Sequence, residues 1–553
     1  MKQHFYKVFF SASLIMLIGY SVNAQNDTTR KKSVNITSAF KPVLRESAKI
    51  NFNASPPTAD TTRPKLQYDI PNPSLLLAYQ PGSLKPLALQ VDSNSAFDNK
   101  NYIKAGFGSL KTPFVQAGFS FGDGNTAGGN IYAKYVSSQG KREFQDIAST
   151  RVKLSGFYKA AQNREWDASL GMKGDKFYKY GFTPESLSFP NDSIKQTFQT
   201  YYARVGVHNI NKTEFGLVYS PEVRIDIFTD AQKNSESNTV VDIPLEKSVG
   251  QDFAVKLGVT FDLTRLSPKT KSAATVNNTM YYISPSVLYR KSNLNLQLGI
   301  RPTWDNKTFK MFPNFLAEIG TNDQRFTFQA GWTGYLRKTT YQYLASINPW
   351  LWLPDKLQNT RVEERFAGFK GAVGDHFTYS GKVAFNKLTN QPLFINDTSA
   401  LGDGKSFRVV NEEGLNVLNL GGEVGYTVEE KFSLITSLSF NQYTGLKNNR
   451  KAWGLLPLEF NTALRVQVMK DLWLKSDLFA WSGPSYLKKG GDVGELGGAF
   501  DLNAGLEFRA TKNLNLWAQF NNIFNQEYQR WSQYPVYGFN FVGGIVFSFD
   551  QKH

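Results

Sequence analysis

Four histidines are the only imidazoles in this 553-residue chain, and their placement argues against acid–base chemistry. His4 lies in the N-terminal leader, His553 is the last residue, and His208 and His376 fall where short turns break the sequence pattern. A Ser-His-Asp or His-Asp arrangement needs an imidazole within hydrogen-bond reach of a nucleophile or a water, and nothing in the spacing supplies one. The acid pairs Glu363–Glu364 and Glu412–Glu413 read as solvated loop residues. There is no cysteine, so thiolate metal sites, thiol nucleophiles and disulfides are all excluded. Gly402-Asp403-Gly404-Lys405-Ser406 is similar to the end of a phosphate-binding loop, but no strand–loop–helix surrounds it. Gly490-Gly491-Asp492-Val493-Gly494 reads as turn glycine. The expectation is a protein that is not an enzyme, with no catalytic, cofactor-binding or metal-ligating residues.

Binding is a different matter. Tyr343, Trp350 and Trp352 with Arg361 place aromatic platforms beside a fixed cation, and Tyr528, Arg530, Trp531 and Tyr534 repeat the combination near the C-terminus. Such sets suit stacking on sugars or flat ligands and anchoring of anionic groups. The same residue types also mark the headgroup level of a membrane protein. Both readings stand at this point.

The elements that carry these residues are strands. In Phe539–Phe549, Phe539, Phe541, Gly543, Ile545, Phe547 and Phe549 alternate with Asn540, Val542, Gly544, Val546 and Ser548, which is the period of a pleat. Phe253, Val255, Leu257, Val259, Phe261 and Leu263 alternate with residues that include Lys256 and Asp262. Glu459 and Arg465 alternate with Phe460, Leu464 and Val466, and Glu507 and Arg509 with Leu506 and Phe508. A soluble sheet needs a second layer over so many apolar faces, whereas a closed barrel in lipid does not. A charge facing lipid at mid-membrane costs roughly 2–4 kcal/mol. Lys256, Asp262, Glu459, Arg465, Glu507 and Arg509 are therefore expected to line the lumen.

Requiring short turns on one side and long loops on the other gives about 22 strands over residues 101–549, with 18–22 as the range. The predicted fold class is all-β, a transmembrane antiparallel barrel. Apolar residues make up 41% of the chain, and its mean hydropathy of -0.37 argues against membrane-spanning helices. Aromatic residues reach 14%, as interfacial girdles require. Residues 1–24 read as a signal peptide, with Lys2 and Lys7 before an apolar core and Val22-Asn23-Ala24 before Gln25. Residues 25–100 are crowded with proline and read as an extended periplasmic arm, or as a disordered leader with no role of its own. The formal net charge of +17 is scattered, with no nucleic-acid-binding motif, and fits a basic lumen or contact with acidic lipopolysaccharide.

Near the C-terminus, Asn521-Asn522-Ile523-Phe524-Asn525-Gln526-Glu527-Tyr528 resembles the N-[LI]-F-[ND]-x-x-Y signature of TonB-dependent outer-membrane receptors, in which Asn522, Phe524, Asn525 and Tyr528 carry the match. The segment ending in Phe549 is similar to their final strand, whose terminal aromatic is read by the barrel assembly machinery. Residues 25–100 are too few for that family's plug, so the chain looks like a plugless relative. Its Asn-, Lys- and aromatic-rich loops resemble those of Bacteroidetes outer-membrane proteins. The resemblance implies a Gram-negative outer-membrane barrel that mediates or assists passage of a solute. The alternative is a non-transporting barrel serving as a platform for a periplasmic or surface partner, with residues 25–100 as the docking arm. Expected partners are outer-membrane lipid and lipopolysaccharide, the assembly machinery and a periplasmic protein, and no nucleic acid.

Overall fold

The computed structural model describes residues 101–183, 187–270, 273–321, 325–397, 403–429 and 431–549. The signal peptide, the proline-rich arm and the question of a plug lie outside the described residues.

The described chain is built on one antiparallel sheet closed on itself, with three two-stranded sheets in its long connections. The 23 hydrogen-bonded segments of the closed sheet make 22 strands, because Leu217–Tyr219 and Glu222–Thr229 are two pieces of one strand interrupted at Pro221, which has no N–H to give the ladder. Each strand pairs with its sequence neighbour. The ring closes where Asn101–Gly108 meets Asn540–Phe549, in register from Asn101↔Phe549 to Gly108↔Val542. This seam is bare backbone at its centre, with Gly106 opposite Gly544 and Phe107 opposite Gly543. A Cβ at Gly544 would stand 2.0 Å from the Ala105 carbonyl oxygen, so no side chain fits there. The Trp517 indole covers the glycines and donates to the Ala105 carbonyl at 3.3 Å.

Turn chemistry sets the two rims apart. One rim has tight turns such as 161–163, 250–252, 292–293 and 374–376. Gly374 takes φ +62° there with open space around it. At another such turn, N–H groups of Asn125, Thr126 and Ala127 all donate to the Asp123 carboxylate at 2.8–3.0 Å, holding its pKa down to about 2. The opposite rim carries the long connections 139–146, 179–194, 338–359, 390–414, 445–457, 482–498 and 522–539. Strands of up to 16 residues exceed the roughly 9–11 needed to span a bilayer.

Alternation decides the two faces. On Phe253–Ser267, Phe253, Val255, Leu257, Phe261 and Leu263 point outward and stay 36–51% exposed, while Ala254, Thr260, Asp262, Thr264 and Leu266 are buried. The same outward rows run round the ring, from Leu170 and Ile225 through Leu298 and Phe369 to Phe541. Water would not tolerate an apolar belt of this extent, and hydrocarbon covers it without cost.

The inner wall divides into two chemically distinct arcs. From Ile147–Ala160 to Phe377–Thr389 it is ionic: Arg151 pairs with Asp175 (2.6 Å), Arg204 with Glu222 (2.7 Å), Arg290 with Glu246 (2.6 Å), Lys370 with Glu318 (3.2 Å) and Lys382 with Glu364 (2.7 Å). Beyond it, amides share the wall with charges such as Glu459, Arg465, Glu507 and Arg509. Asn419 donates to Asn441 (2.9 Å), Gln519 to Asn521 (2.9 Å), Asn521 to Asn540 (2.8 Å) and Asn515 to Glu507 (2.8 Å). Asn419–Asn441, Asn521–Asn540 and Asn515–Glu507 join neighbouring strands, and Gln519–Asn521 runs along one.

Two expectations need correction. Glu363 and Glu364 are not loop residues but lie within Thr360–Val373, and Glu364 is buried against Lys382 because even positions of that strand face inward. Glu412 is fully buried, not solvated surface: its carboxylate accepts N–H groups of Gly414, Lys447, Asn448 and Asn449 at 2.7–3.1 Å and ties the 390–414 loop to the 445–457 loop.

Candidate functional site

The long loops do not stand out into solvent. They turn in over the mouth and pack against one another and the upper inner wall. The 338–359 loop springs from between Phe326–Arg337 and Thr360–Val373, yet it docks on strands about a third of the ring away. Its short helix, Tyr341–Ile347, starts at Thr340, whose hydroxyl accepts the Tyr343 N–H at 2.9 Å. The N–H groups of Tyr341 and Gln342 in the first helical turn donate to Glu236 of the far wall at 2.5 and 2.9 Å, and the Tyr341 hydroxyl donates to Asp230 at 2.9 Å. Lys338 reaches the Asp262 carboxylate at 3.4 Å and the carbonyls of Asp262 and Asn278 at 2.8 and 2.6 Å.

Below these anchors lies an apolar core shared by loops and wall. Phe177, Phe198, Phe228 and Leu266 come from four strands, Leu344, Trp350 and Leu351 from the 338–359 loop, Phe394 and Phe407 from 390–414, and Trp531 and Tyr534 from 522–539. Trp350 stacks on Tyr534 with centroids 3.8 Å apart, and Tyr180 meets Tyr534 edge-on at 4.9 Å. Gln533 joins three loops: its amide donates to the carbonyls of Gly181 (2.6 Å) and Asp403 (2.8 Å) while its oxygen accepts the Thr183 hydroxyl (3.1 Å). The Tyr180 hydroxyl donates to the Pro535 carbonyl at 2.8 Å, and the Tyr534 hydroxyl to that of Lys405. These loops leave the rim at well-separated points, so their junction bridges the opening. Together these directed contacts hold the loops in one closed arrangement over the mouth.

One group works against closure. Burial, and next the nearby Lys405 cation, bring the Lys179 ammonium from 10.5 down to about 8, despite Asp230, Asp397 and Asp403 in the vicinity; its Nζ lies 4.3 Å over the Trp352 ring. In an open mouth this amine regains water and its ordinary pKa. The closed form is thus disfavoured below about pH 8 and gains stability as pH rises from 8 toward 10.5. Channel openings in planar bilayers are expected to be more frequent at pH 7 than at pH 9.5, and Lys179→Met should abolish that difference; an unchanged pH profile in the variant would count against it.

The two aromatic–cation sets predicted from the sequence are partly brought together. Trp350, Trp531 and Tyr534 meet in one core, and Arg530 is buried with its guanidinium 4.6 Å from the Trp531 ring centroid. In this closed arrangement they have no surface to offer a ligand. Trp352 remains 47% exposed and Tyr343 half-buried. Arg361 is apart from all of them, at the upper end of a wall strand, paired with Glu363. Asp262 and Glu507 are buried, and Lys256, Glu459, Arg465 and Arg509 are half-buried on the same inward-facing alternation. His208 lies at the end of a strand, not in a turn, about 4 Å from Glu165 and Asp167, and His376 bonds the Thr427 carbonyl at 2.9 Å. Sequence reading missed Tyr180, Glu236, Phe394, Phe407 and Gln533. The available signal was apolar content: Tyr341, Leu344, Ile347, Leu351 and Leu353 are too greasy for a solvated loop.

The C-terminal motif is a turn device. Asn522 and Asn525 take φ of +48° and +53°. The Asn522 amide donates to the carbonyls of Gln526 (2.7 Å) and Tyr537 (2.8 Å), and Asn525 accepts the Phe539 N–H (2.8 Å), closing the neck of the 522–539 loop. The Tyr528 hydroxyl donates to Asp501 at 2.8 Å, Phe524 stacks on Phe500 at 5.1 Å, and Phe549 sits at the far end beside Phe547 and Phe119.

Solved structures share this architecture. The chain is similar to the FrpB iron transporter from Neisseria meningitidis (F3-3 variant), with TM-score 0.61, 12% identity and coverage of 81% of each chain. It is similar to a mutant of the ferric enterobactin receptor PfeA from Pseudomonas aeruginosa (TM-score 0.60, 11% identity, 81% of this chain and 80% of that one). It also resembles P. aeruginosa FpvA bound to pyoverdine (TM-score 0.60, 10% identity, 82% and 72%). No protein-family model matches the chain, and no curated protein matches its sequence. At these identities the likeness establishes the fold, that of the 22-stranded TonB-dependent receptor barrel.

Proposed function

We propose that this barrel sits in the outer membrane and passes a solute too large for general porins, with its outer loops as the gate. The observation that carries this reading is the junction of loops from separate parts of the rim over a polar inner wall. A wall with no transport role has no need of a wetted lumen, and a barrel of this width leaves one that must be blocked. Lys256, Asp262, Glu459, Arg465, Glu507 and Arg509 act as lumen-lining charges that keep a passing solute hydrated and oriented. Trp352 and Tyr343 are the ring faces nearest to hand for first contact, and Arg530, Trp531, Tyr534 and Trp350 become available only when the loops part. Residues 25–100 act from the periplasmic side, and Phe549 serves recognition by the assembly machinery.

Deleting residues 26–95 from the exported protein and measuring conductance tests the reading. A gain of several-fold over the full chain is the expected result. Conductance that stays nil, together with loss of a co-purifying periplasmic protein, would replace transport by the platform role.

A further inference from the structure

Charges on the outward face are confined almost wholly to strand ends, as with Arg164, Lys195, Arg265 and Lys291. One group on two adjacent strands reaches farther in, to Arg365, the sixth residue of Thr360–Val373. Arg365 points outward from Thr360–Val373 beside Phe385, and Lys387 stands opposite Glu363 on Phe377–Thr389, while the Arg361 guanidinium turns onto the buried Phe312 ring, 5.4 Å from its centroid. Glu363 is taken by Arg361. Arg365 and Lys387 are exposed, and among the described residues neither has a carboxylate partner. Arg365 instead lies 5.1 Å from the Trp332 ring centroid.

Arg365 also borders a depression on the outward face, about 480 Å³. Its floor is Ala317, Ala330 and Ala367, side by side on three strands, and its walls include Leu298, Trp332 and Phe385. The row just below Arg365 is thus a shallow apolar trough. The row at and above it is cationic, on the half of the barrel nearer the loop-bearing rim.

We infer that Arg365 and Lys387, with the trough beneath them, seat one phosphate-bearing lipid of the outer leaflet, its acyl chain along the alanines and its phosphate between the two cations. Charge complementarity selects this occupant. A hydrocarbon chain alone leaves two cations without a counter-charge at the edge of the apolar belt, and a zwitterionic headgroup brings its own cation into the same space. Guanidinium and phosphate match in bidentate geometry, and Trp332 holds the guanidinium flat for it.

The test uses the full barrel purified in detergent, its folding checked by heat-modifiable gel mobility. It is incubated with bisphosphorylated lipid A, dephosphorylated lipid A or phosphatidylethanolamine, separated by gel filtration and weighed by native mass spectrometry. About one bisphosphorylated lipid A per barrel should remain, with at least ten-fold less of the other two. The double variant R365Q/K387Q should lose that retention at least ten-fold, and A367L, which fills the trough and leaves both cations, should lose it several-fold. Equal retention of the dephosphorylated lipid, or full retention by R365Q/K387Q, would overturn the assignment.

Discussion

Tyr534→Ala opens the mouth. The side chain contributes the face stacked on Trp350, the edge contact with Tyr180 and a hydroxyl bond to the 390–414 loop. Removing a buried aromatic costs about 3–5 kcal/mol where the site cannot collapse. The loss falls on the closed arrangement alone, because the open one solvates residue 534 in either protein. At about 1.4 kcal/mol per factor of ten, the ratio of open to closed mouths rises about a hundred- to several-thousand-fold. Single-channel recording should show frequent long openings in the variant against rare ones in the parent. Limited trypsin treatment should cut after Lys405, which the closed loops cover. Gln533→Ala should act in the same direction and less strongly, since it removes three hydrogen bonds of about 1 kcal/mol each. A variant with parental conductance and parental protease resistance would show that the aromatic junction does not govern opening.

The second large effect concerns facing. Val259→Arg puts a guanidinium on the outward side in the middle of Phe253–Ser267 and should cost roughly 2–4 kcal/mol in a bilayer. Lys256→Gln, three residues away on the inward side, should leave stability within about 0.5 kcal/mol of the parent. Urea unfolding from lipid vesicles, followed by tryptophan fluorescence, measures both. A Val259→Arg variant as stable as the parent would overturn this assignment of inside and outside.

The wall was far more legible in the sequence than the mouth. Period-two alternation is a local signal, and in Phe253–Ser267 every residue announces its side; the short turns that punctuate it, such as 250–252 and 374–376, fixed the strand number by parity. Loop packing has no period. Trp350 and Tyr534 are 184 positions apart in sequence, and nothing in either neighbourhood marks them as a stacked pair. Their residue types were noticed for ligand stacking, a property that chemistry alone cannot separate from mutual burial. Glu412 shows the same limit. Beside Glu413 it looks like a solvated acid, and only the chain's return at Lys447–Asn449 supplies the N–H groups that make burial affordable.

The seam carries a consequence for biogenesis. Every other stave finds its mate within a hairpin, but Asn101–Gly108 must wait for Asn540–Phe549, more than 430 residues downstream. Until translocation is finished, the nascent ribbon has two raw edges with nothing to zip to, each liable to recruit a stray strand. The glycines at the join lower the steric hurdle of that last step, since two naked backbones can slide into register without side chains to interlock. Escort of both edges at once is therefore an obligation that the architecture places on whatever inserts it, and lengthening the side chains at positions 106 or 544 should stall molecules as unclosed, protease-sensitive sheets.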